Sequence, residues 1–127
     1  MTTHVLHSAA LGDVSKALQT LHQHLLRFEA EQSGFAGSPL QLFDRAVKDS
    51  GFAWLKPLRE DIVALDERRA GEDPISEAEA TRIGEQFLQI LNADTGPFRD
   101  RLNDAIQARP EVIRALGTLR SALKTLS

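Results

Sequence analysis

Apolar residues along this chain recur at alternating intervals of three and four, and no segment alternates apolar with polar residues as a half-buried strand would. The first third shows the pattern most clearly, in Leu11, Val14, Leu18, Leu21, Leu25 and Phe28. That spacing sets all six on one face of an α-helix, a face that has to be buried against other helices. Ser8 or Asp13 is suited to cap its start and Ser33-Gly34 to end it.

Four further segments follow. Ser38-Pro39 reads as an N-cap with proline at the first helical position, opening a helix of about eleven residues whose apolar edge is Leu40, Phe43 and Val47. Asp44, Arg45 and Lys48 face solvent, Asp49-Ser50-Gly51 stops the helix, and its length requires tertiary support. Phe52 to Ala70 repeats the spacing through Leu55, Leu58, Ile62 and Leu65; Pro57 either opens the main helix after a preceding turn or kinks a helix begun near Phe52. Gly71 to Pro74 is a turn, and Ser76 with Glu79 forms a capping box for a helix striped by Ala80, Ile83, Phe87 and Ile90 and closed by Asn92 to Pro97. Phe98, Leu102, Ala105, Arg109, Val112, Leu116, Leu119, Leu123 and Leu126 carry the spacing to the end. Pro110 makes this stretch two helices or one bent helix, and the unbroken phase favours a roughly collinear pair with a kink.

The expected fold is therefore all-α: one domain over residues 1–127, an antiparallel up-and-down four-helix bundle with a short accessory helix and a last helix kinked near Pro110. The length of 127 residues supports one core, and folding it buries roughly two-thirds of the surface that the unfolded chain exposes.

Composition removes several kinds of chemistry. With no cysteine there is no disulfide, no thiolate nucleophile and no cysteine-ligated metal. Met1 to Gly12 lacks the basic start and apolar run of a signal peptide, and no stretch approaches the ~20 apolar residues of a membrane span, so a soluble cytoplasmic protein is expected. A net charge of −3 argues against nucleic acid as a partner. The charge is unevenly spread: residues 98–127 hold six basic and three acidic side chains, leaving −6 on the first 97. Such a dipole can steer a charged partner, though its ordinary meaning is a solvated helix face.

The stretch Phe52-Ala53-Trp54-Leu55-Lys56-Pro57-Leu58, running on to Ile62-Val63-Ala64-Leu65-Asp66-Glu67, resembles a motif of a small family of bacterial helical proteins without an assigned activity. The likeness includes Ser38-Pro39 and covers about half the chain. It implies a compact helical bundle and carries over no catalytic or binding residue. Physically, an aromatic such as Trp54 at helical spacing beside a proline is ordinarily core packing; the sharper alternative is that Phe52, Trp54 and Leu58 form an exposed patch that docks a partner.

Other constellations are missing. No Glu-x-x-His pair offers di-iron ligands, and neither Gly-x-Ser-x-Gly nor a Gly-rich phosphate loop occurs. On a helical wheel Asp61, Asp66 and Glu79 flank their apolar stripes, while Glu60, Glu67 and Glu85 face away. His22 and His24 are about 200° apart on a helix and cannot grip one metal; His4 and His7 share a face near the terminus but make only two ligands. No cofactor, metal or catalytic residue is assigned. Arg109 alone breaks an apolar stripe, where it would bind an anion, pair with an acid such as Asp66, or reach out to water at the kink. The leading expectation is a non-enzymatic helical interaction module with a protein partner or a second copy of itself, using Phe52, Trp54, Leu58 or Arg109. The alternatives are a carrier enclosing a small ligand inside the bundle and, further off, a metal-dependent enzyme.

Overall fold

A computed structural model describes residues 2–32, 34, 37–48 and 50–126, with side chains except at 2–8, 39, 43, 46–48 and 50. It is all-helical, and no strand occurs among the described residues. Six α-helices follow in order, α1 (Thr2–Gln32), α2 (Pro39–Lys48), α3 (Lys56–Ala70), α4 (Glu77–Asn92), α5 (Pro97–Ala108) and α6 (Pro110–Lys124), with a 3-10 helix over Ser50–Leu55 between α2 and α3.

α1 is the organising element. Leu11, Val14, Leu18, Leu21, Leu25 and Phe28 are all buried, in one continuous core with Leu58, Ile62 and Leu65 of α3, Phe87 and Leu91 of α4, Leu102 of α5 and Leu119 and Leu123 of α6. At 31 residues α1 begins before both suggested caps, so Ser8 and Asp13 lie inside the helix. Gly34 follows its end with φ of +69°, a conformation that glycine adopts without steric cost, and its N–H bonds to the Glu31 carbonyl. Ser33 and Asp49 lie outside the described residues, as do the side chains of His4, His7, Phe43 and Val47.

The caps follow local chemistry. Ser38 Oγ accepts from the Gln41 N–H while Gln41 Oε1 accepts from the Ser38 N–H, a reciprocal capping box at the start of α2. Ser76 Oγ accepts from the Glu79 N–H at 3.1 Å, but the Glu79 carboxylate turns to Arg68 instead of closing the box. Pro57 sits in the first turn of α3, with the 3-10 helix as the preceding turn. Arg99 donates to the carbonyls of Leu91 and Ala93, satisfying the C-terminal end of α4.

Three expectations change. Leu40, placed on the apolar edge of α2, is 79% exposed, and Leu42 turns toward the core instead. In α4 the buried line runs through Gly84 and Leu91, with Ile83 and Ile90 half-buried. Gly84 is there because Leu126 packs against it, its Cδ1 only 3.3 Å from where a Cβ would stand. The kinked last helix is two helices: Arg109 is extended (φ −137°, ψ 110°) because the residue before a proline is barred from helical geometry, and Pro110 starts α6 afresh.

From Trp54 through α3, the contacts move back along α1 as the chain advances. Trp54, just before α3, meets Glu29; further along α3, Asp66 meets Ser15 and Arg69 lies beside Gly12. Arg109, at the head of α6, pairs with Glu31, while Thr125, just past its end, lines the same cleft as Asp13. Between α3 and α4, Arg68 reaches Glu79 and Asp61 accepts from Gln86.

Candidate functional site

Three residues named from sequence are turned inward. Phe52 and Leu58 are fully buried and Trp54 is 9% exposed, so they form no surface patch. Trp54 lies against Phe98 with ring centroids 5.7 Å apart and donates its indole N–H to Glu29 Oε1 at 2.8 Å. Arg101 joins the same oxygen at 3.1 Å, its guanidinium over the rings of Phe28 at 5.0 Å and Trp54 at 5.9 Å. This cluster of a carboxylate, a cation and aromatic rings ties the 3-10 helix and α5 to α1.

Arg109, the fourth named residue, is 17% exposed at its side chain. It pairs with Glu31, and its Nε lies 3.6 Å from Glu111. Its acidic neighbours are therefore at the end of α1 and the start of α6. Asp66 instead accepts from Ser15 at 2.5 Å and Gln19 at 3.1 Å. The extended backbone at Arg109 lets the side chain leave the core stripe for the end of α1.

The two histidines with described side chains depart from α1 in different directions. His22 is half-buried, its Nε2 shielded without a hydrogen-bond partner, and burial together with the Arg59 charge lowers its pKa from 6.5 to about 4. His24 lines a cleft on the side facing α6. Among the described residues no group of three metal-ligating side chains comes together, and no helix is long and apolar enough to cross a membrane. Burial raises the Asp61 carboxyl above its ordinary value, and a hydrogen bond from Gln86 opposes it. The hydrogen bonds to Arg68 hold Glu79 below its own.

The cleft that His24 lines is a concave surface feature of the described residues. It runs between α1 and α6, has a volume of about 700 Å³, and opens to the surface. Much of its lining is small side chains: Ala17 and Thr20 of α1, Ala115, Thr118, Ser121 and Ala122 of α6. Asp13 and Lys16 stand at one end, Glu111 and Arg114 at the other. None of these residues was singled out by sequence as part of a site. The spacing of Ala17, Thr20 and His24 on α1, and of Ala115, Thr118, Ala122 and Thr125 on α6, carried the only signal: two helix faces too small and polar for core and too poor in charge for an ordinary solvated face.

The fold and cleft together define an all-α protein with a surface groove between two of its helices. No family model, curated protein or solved structure matches the chain. The likeness of the stretch from Phe52 to Glu67 thus remains a resemblance of residues and assigns no family.

Proposed function

We propose that the chain is a non-enzymatic helical interaction module, one domain whose helices stand as an antiparallel bundle around α1, and that it receives a helix of a protein partner in the α1–α6 cleft. The antiparallel arrangement is supported by the pairing of Glu31, at the end of α1, with Arg109, at the head of α6, and by Asp13 of α1 and Thr125, just past α6, lining the same cleft. The same holds for α1 and the run from the 3-10 helix into α3, where Glu29 meets Trp54 and Ser15 meets Asp66.

The observation that carries the docking role is the small-residue lining of the cleft. Helices pack with axes ~8–10 Å apart only where side chains at the contact leave room, and alanine, serine and threonine do so. From Asp13 to His24 the cleft spans about three helical turns, roughly 16 Å, enough to seat one amphipathic helix. A carrier enclosing its ligand inside the bundle is less well supported. The core positions are filled by side chains, and the open volume lies at the surface between charged ends.

Paired baits test the reading. The unaltered chain and a Thr20→Trp, Thr118→Trp variant, both positions being exposed, are used to capture proteins from native lysate with crosslinking through Lys16. A protein crosslinked at Lys16 by the unaltered chain and lost from the variant is expected. Equal capture by both, or no crosslink at Lys16, overturns the docking role.

A further inference from the structure

We draw no further inference here: the strongest candidate, the open cleft between α1 and α6 with Asp13 and Lys16 at one end and Glu111 and Arg114 at the other, belongs to the site already described, and with one acid and one base at each end nothing in the structure shows which chain covers it.

Discussion

The indole of Trp54 hydrogen-bonds at 2.8 Å to the carboxylate of Glu29, a residue only 6% exposed, and Arg101 approaches the same oxygen at 3.1 Å. A carboxylate withdrawn from water without partners costs several kcal/mol, and these two donors help to make this position tolerable for glutamate. The cluster connects three segments far apart in the chain, α1, the 3-10 helix and α5.

Truncating each donor separates their contributions. Trp54→Phe keeps a ring beside Phe98 and removes the N–H, at an expected cost of about 1–3 kcal/mol. Arg101→Met keeps an apolar stem over Phe28 and removes the charge, which is expected to cost more, about 3 kcal/mol. Urea unfolding followed by circular dichroism at 222 nm reports both. An Arg101→Met variant as stable as the original would show that Glu29 does not depend on that cation.

Core and surface leucines are equally well distinguished. Leu21→Ala empties a fully buried position and is expected to cost about 2–5 kcal/mol, whereas Leu40→Ala is expected to stay within about 0.5 kcal/mol. Equal losses would mean that Leu40 is covered in solution.

The contrast between those two residues shows what one sequence makes legible. Leu21 belongs to a stripe of six positions in a long helix, and only one burial direction satisfies all of them. α2 has ten residues, and with so few turns a leucine on either side of the apolar edge fits the pattern. Gly84 emits no hydrophobic signal, yet it is the α4 position that Leu126 requires to be small. Glu29 reads as solvated when taken alone. Its flank of α1 repeats every seven residues as Ser15, His22 and Glu29; Ser15 bonds to Asp66, Glu29 accepts from Trp54, and the Arg59 charge acts on His22. That seam was visible in the spacing but has no apolar member to mark it. The cleft was hidden for another reason, since it exists only once α1 and α6 are paired, and single-helix periodicity does not say which helices are neighbours.

Ser76 provides a local test of the chain's punctuation. Its hydroxyl is the acceptor for the Glu79 N–H at the start of α4, and Ser76→Ala leaves that donor to water. A loss of about 1 kcal/mol is expected, seen as a melting temperature lower by roughly 4 °C. No change in melting temperature would mean that solvent caps α4 equally well.

His22 makes stability depend on pH. Its pKa is lowered to about 4 by burial and then by Arg59, against 6.5 when the chain is unfolded. Between those values the unfolded chain binds a proton that the folded chain refuses, so stability falls as pH drops below about 6.5 and the loss levels off below about 4. At pH 5 the expected loss relative to pH 7 is about 2 kcal/mol. Asp61 acts with the opposite sign, because a carboxyl raised by burial binds its proton more readily in the folded chain. The comparison with His22→Gln isolates the histidine, since that variant keeps Asp61 and loses only the imidazole. Urea unfolding at pH 7, 6 and 5 is expected to give a falling stability for the original chain and a nearly level one for the variant. Parallel slopes for the two proteins would show that His22 takes up its proton as readily in the folded chain as in the unfolded one.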